Sequence, residues 1–249
     1  MRVIYKKMCV IYKMKLNKAL LVAVLVSIVL ILTIKCFPPL PALAIFFYSS
    51  NDLHTYLRNY NCFLRKSIKI TEQGYVPRSA EPTVFLFNHP PVAIWELIAL
   101  LEEYTSNYKI VTNDPSFYFI FKEQLVKNQL TIPQSLPTEV RRELVCQKMT
   151  QCLEIDKQHV VLFHEGVLSP SFNSFRPCKL TYCNFLIEHS ARFQIVTVNV
   201  KQTMYSKYLM RLKPKMTISW SEPNSGANFS TAKELQAFVA REHNSYLQN

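Results

Sequence analysis

Apolar and polar positions divide this chain of 249 residues into an N-terminal block without periodicity and a remainder in which short apolar runs alternate with helical patterns. From Ala19 to Ile34 it reads ALLVAVLVSIVLILTI, sixteen residues without a charge, and after Lys35 an apolar stretch continues to Tyr48. A soluble domain could not leave residues 19–48 exposed, so the segment is read as a membrane anchor. Sixteen helical residues reach only about 24 Å, against a hydrocarbon core of roughly 30 Å. Pro38, Pro39 and Pro41 stop the helix from continuing. Two geometries satisfy these lengths: a short span that draws in Cys36 and Phe37 while Lys35 snorkels, or a helical hairpin that enters and leaves by one face. Ala42-Leu43-Ala44 has the small-x-small form of a signal cleavage site, but it lies ten residues past the charge-free run and beyond the prolines. The anchor is therefore preferred over a cleaved leader.

Beyond the anchor, NDLHTYLRNYNCFLRKSIKI predicts a helix leading into a strand, and TEQGYVPRSAEP a turn-rich connection with Gly74, Pro77 and Pro82. Thr83 to Phe87 form a short apolar β run that stops at Asn88-His89. Pro90 and Pro91 suit the first turn of a helix in which Val92, Trp95, Ile98 and Ala99 recur at helical spacing, with Trp95 in the core. A second strand is expected over residues 108–112 and an aromatic-rich helix over 115–127. Residues 138–155 read as one amphipathic helix starting at a Thr138 cap, with Arg142, Lys148 and Gln151 on its solvated face. A strand from His159 into Gly166, a loop and helix, a strand RFQIVTVNV, a late strand MTISW and a terminal helix capped by Ser230 or Thr231 complete the chain. This alternation predicts an α/β fold: a mixed, largely parallel sheet flanked by helices, behind an N-terminal membrane helix or helical hairpin. The expected division is a basic flank over 1–18, an anchor over 19–50 and an α/β domain over 51–249.

Charge places this arrangement relative to the membrane. Six of the 29 Lys and Arg residues lie in the first 18 positions with no acid among them, which is half of the net charge of +12. Basic residues beside an apolar span predict a cytosolic N-terminus and an anionic lipid surface as partner. Lys201, Lys207, Arg211, Lys213 and Lys215, again without an acid, read as a second face for anionic lipid. No zinc-finger spacing or Gly-rich RNA-binding signature supports nucleic acid as the partner. Seven cysteines, an odd number with no CxxC pair, read as reduced thiols facing the cytosol. Three glycines are too few for a dinucleotide or Walker loop.

Two strand ends carry the candidate chemistry: FLFNHPP at 85–91 and VLFHEGVLSPSFNSFRPCK at 161–179. Parallel strands bring their carboxyl ends to one rim, so His89 and Glu165 can be neighbours although 76 positions apart. Read blandly, His89 is a surface residue and Glu165-Gly166 a turn in which glycine supplies a positive φ.

Asn88-His89, then Phe163-His164-Glu165-Gly166-Val167-Leu168-Ser169, then Phe175-Arg176, then Ile195-Val196-Thr197-Val198 follow one another behind the apolar segment. In this order and spacing the chain, over roughly residues 20–220, resembles the glycerolipid acyltransferases of the 1-acyl-glycerol-3-phosphate type. The resemblance implies that His89 is the general base, removing the hydroxyl proton of a lysophospholipid as it attacks an acyl thioester. It further implies an acceptor site at Asn88, Glu165 and Gly166, with Arg176 or Lys179 near the phosphate. The co-substrate would be acyl-CoA or an acyl carrier, with no metal and no further cofactor. Three departures stand against the family pattern. Ile94 occupies the position of the Asp that orients the histidine, Val167-Leu168 replaces Thr-Arg, and His164 replaces the proline before the glutamate. Glu96 is the nearest carboxylate, rotated about 200° further round a helix, and can orient His89 only if the Pro90-Pro91 turn shifts the register. Two functions follow: a membrane-bound lysophospholipid acyltransferase on the cytosolic face of an internal membrane, or a catalytically inactive lipid-binding or scaffolding protein with the same fold. A hydrolase has no Cys or Ser at a tight strand-to-helix elbow.

Overall fold

The computed structural model describes residues 53–67, 69–76, 80–88, 100–112, 129–133, 135–166, 175–200 and 215–247. All belong to the second of two compact units, Met1–Tyr48 and Ser49–Asn249. The predicted anchor, the start of the helix after Pro91, the aromatic-rich helix and the basic stretch 201–214 lie outside the described residues. No helix among the described residues is long and apolar enough to cross a membrane.

Helix α1 (Leu53–Ser67) precedes strands β1 (Lys69–Gly74), β2 (Val84–Phe87), β3 (Tyr108–Thr112) and β4 (Gln129–Thr131). Helix α2 (Thr138–Thr150) runs into one π-helical segment, Gln151–Ile155, before strand β5 (His159–Phe163). Helix α3 (Leu180–Glu188), strands β6 (Arg192–Val200), β7 (Lys215–Trp220) and β8 (Asn224–Ser225), a 3₁₀ turn and helix α4 (Ala232–Leu247) follow. The sheet order is β1-β7-β6-β2-β5-β3-β4, with β8 alongside β6. Strands β6, β2, β5, β3 and β4 run parallel to one another, and β7 is antiparallel to β6 and parallel to β1. The expected mixed, largely parallel sheet is thus present, as short apolar strands between helical patterns predict.

Every residue of β2 and β5 is buried, as strands covered on both faces must be. On one face Val84, Leu86 and Leu162 join Met149 of α2, Phe185 of α3 and Val239 of α4 in a continuous core. On the other, Phe85 and Phe87 meet the edge of the Trp220 ring, and Tyr104 packs on Trp220 as well. The alternation of Val84 and Leu86 with Phe85 and Phe87 is the two-residue period of a strand. Arg65 of α1 bonds Glu72 of β1 at 2.6 Å and Glu103 through its Nε at 2.9 Å, fastening α1 to the sheet edge and to the turn before β3.

The elements depart from the sequence pattern in four places. Strand β1 runs to Gly74 and so absorbs the first residues of the expected turn-rich connection. The 138–155 helix changes to π geometry after Thr150, and its N-cap is Pro137 rather than Thr138, with no side chain capping it. Strands β4 and β8 are additional. At α4 the Thr231 hydroxyl accepts from the Glu234 amide at 3.2 Å, which makes Thr231 the cap. Described cysteines Cys62, Cys146, Cys152, Cys178 and Cys183 are free thiols.

Candidate functional site

The register of the three central strands builds the site. Phe87 pairs with Phe163 of β5 on one side and with Val196 of β6 on the other. Asn88 and His164 therefore leave the carboxyl ends of β2 and β5 beside Thr197, which lies within β6. Asn88 is buried, and its amide continues the sheet: Nδ2 donates to the Val198 carbonyl at 3.0 Å while Oδ1 accepts the Val198 amide at 2.7 Å. The side chain imitates one more residue of β2, which fixes where the strand ends. His89 and Glu96 lie outside the described residues.

Glu165 is 3 % exposed, and its Oε2 accepts the backbone amide of Arg176 at 2.7 Å. The Lys179 amide donates to the His164 carbonyl at 3.0 Å. These two bonds tie the backbone at Arg176 and Lys179 to the residues just after β5. Glu165 thereby ties the backbone at Arg176 to the end of β5. Gly166 has φ +69, and a Cβ there would come within 2.2 Å of Lys179 Cε and Nζ. The missing side chain thus serves both the left-handed turn and the passage of the Lys179 chain. The rim therefore assembles Asn88, Glu165, Gly166, Arg176 and Lys179 from two strand ends.

Sequence reasoning missed a buried polar chain at the same rim. His164 and His243 of α4 have no solvent exposure, and their Nε2 atoms lie 2.8 Å apart with the rings stacked. His243 Nδ1 meets the Thr197 hydroxyl at 2.7 Å. At this distance one imidazole must donate and the other accept. Burial first, and the neighbouring His164 second, hold His243 well below the ordinary histidine value of 6.5. The only clue in the sequence was that His164 stands where the resembled block has proline. Nothing marked His243, which is 79 positions away.

A group of basic residues was also missed as a group. Arg141 and Arg142, near the start of α2, share one cavity with Lys179. Among the described residues, no set of three His, Cys, Asp or Glu side chains could hold a metal ion.

Strand order and the helices packed on the sheet define an α/β fold with a mixed, mostly parallel sheet. Among solved structures, the chain is similar to the 1-acyl-sn-glycerophosphate (LPA) acyltransferase PlsC of Thermotoga maritima, with a TM-score of 0.55 and 12% identity. The likeness covers 87% of this chain and 89% of that one. At this identity it is a likeness of fold. No family profile and no curated protein matches the chain.

Proposed function

We propose that the protein is a membrane-bound acyltransferase that moves a fatty acyl group from an acyl thioester to the hydroxyl of a lysophospholipid. The observation that carries the reading is the rim itself: Asn88 closes β2 immediately before His89, next to the β5 end that presents Glu165 and Gly166, in an acyltransferase fold. In the proposed step His89 takes the acceptor hydroxyl proton as the oxygen attacks the thioester carbonyl carbon. The tetrahedral intermediate collapses with loss of the carbon–sulfur bond, and the thiolate leaves with the proton returned by the imidazolium. Glu96 is proposed to orient the ring, because Ile94 cannot. Arg176 and Lys179 supply positive charge beside the acceptor phosphate.

Ile94 favours a second reading, in which the same fold binds lipid without catalysis. Acyl transfer to a panel of lysophospholipids, measured with acyl-CoA and acyl-carrier donors, separates the two. Turnover that depends on His89 supports the enzyme. Lipid binding without turnover supports the second reading.

A further inference from the structure

An open cavity of about 400 Å³ lies between the first turns of α2 and α3, at the carboxyl rim where β4 and β5 end. Arg141, Arg142 and Lys179 line it, together with Ile132, Val145 and Tyr182. Among the described residues no carboxylate lines it, and none of the three cations takes part in an ion pair. Arg141 Nε is buried without a hydrogen-bond partner, although Nη2 of the same residue donates to Thr138 Oγ1 at 3.2 Å. A buried guanidinium nitrogen left unpaired is costly unless an acceptor arrives. Burial, then Arg141 and Arg142, push the Lys179 ammonium below its ordinary value, so like charges crowd this space. Neither helix is capped by a side chain, and Thr138, Leu180 and Thr181 line the cavity at the two helix starts. Their positive ends add to the same field.

We propose that this cavity binds a phosphate-bearing ligand, with Arg141, Arg142 and Lys179 on the phosphate oxygens and Ile132, Val145 and Tyr182 beside its apolar part. Arginine suits this task because its planar fork can bond two phosphate oxygens at once. The volume accommodates a headgroup and the adjoining carbons, at the small end of ligand pockets. Leu180 is exposed at the cavity, and Val140 is exposed next to Arg141, which gives an amphiphile an apolar approach. The phosphate can belong to a lipid headgroup or to a soluble compound such as a thioester carrier; the recognising chemistry is the same. The cavity deepens the proposed reading, in which Lys179 already stands beside the acceptor phosphate, while its geometry does not depend on catalysis by His89.

The test uses the full-length chain in neutral phosphatidylcholine nanodiscs, titrated calorimetrically with inorganic phosphate, and in parallel in nanodiscs that contain phosphatidic acid. Saturable phosphate binding is expected, weakened about tenfold or more in R141Q/R142Q because charge-assisted hydrogen bonds are lost. Lys179→Gln should weaken it in the same direction without altering α2. The pair K69Q/K157Q removes as much charge from surface positions outside the cavity and should bind as wild type does. Loss of the phosphate signal in phosphatidic acid nanodiscs assigns the site to a lipid headgroup, and its persistence assigns it to a soluble phosphate. Absence of saturable binding in wild type, or equal weakening in K69Q/K157Q, overturns the proposal. Binding without acyl transfer would leave this site standing and remove the enzyme reading; transfer without saturable binding would do the reverse.

Discussion

At the scale of single residues, the polar groups at the rim divide into those that hold the fold and those left for a ligand. Asn88 belongs to the first group, since both ends of its amide are used on Val198. Asn88→Asp would set a second acceptor against the Val198 carbonyl, and should lower stability by about 1–3 kcal/mol in a urea titration. Unchanged stability would return Asn88 to the pool of substrate contacts. His243 and His159 are both held below the ordinary histidine value, mainly by burial and then by His164 and Arg192 respectively. His159 is also fixed as an acceptor, because its Nδ1 takes the Thr83 amide at 3.2 Å. The unfolded chain then binds more protons than the folded one just below the ordinary value. Stability should therefore be full above pH 6.5 and fall as pH drops below it. Urea midpoints measured between about pH 7.5 and 5 should show this decline, with a shallower slope in His243→Gln; a flat profile would contradict it. The sequence revealed Asn88 and Glu165 as polar residues beyond apolar runs. What they bond to could not be read, because each partner is set by sheet register or by loop closure.

At the scale of elements, what was legible had periodicity. Strands β2, β5 and β6 are apolar runs bounded by polar residues, and α3 and α4 carry helical spacing, so each appeared in the sequence at nearly its observed position. Strands β4 and β8, of three and two residues, are too short to show any period, and exist because a neighbouring strand offers them an edge. The change to π geometry at Gln151 leaves the apolar pattern of the preceding helix nearly intact and so was invisible. Gly166 shows how an element boundary serves the site. Gly166→Ala would carry a side chain at φ +69 and displace the end of Lys179, so it should lose about 1–2 kcal/mol of stability. Its phosphate binding should also fall in the titration that tests Lys179. Retained stability and binding would show that the turn and the lysine are independent.

At the scale of the whole molecule, the order of four short blocks behind an apolar segment led to the acyltransferase fold, although no block was specific by itself. The anchor reading predicts that the protein stays with membranes through high-salt and alkaline carbonate washes, because burial of apolar area is not screened by salt. Release by carbonate would contradict it. If the apolar segment is a hairpin, the domain faces the cytosol and Asn228, exposed in the sequence Asn-Phe-Ser, stays unglycosylated in a eukaryotic host. A glycosidase-sensitive mass shift at Asn228 would instead indicate a single span and a lumenal domain. Catalysis by His89 is the central claim, and acyl transfer by purified full-length wild type and His89→Ala tests it most directly. The acyltransferase reading predicts a loss of roughly 10²- to 10⁴-fold in the variant, with membrane association and urea midpoint unchanged. Equal transfer by the two proteins, or none by wild type with any lysophospholipid, would contradict it.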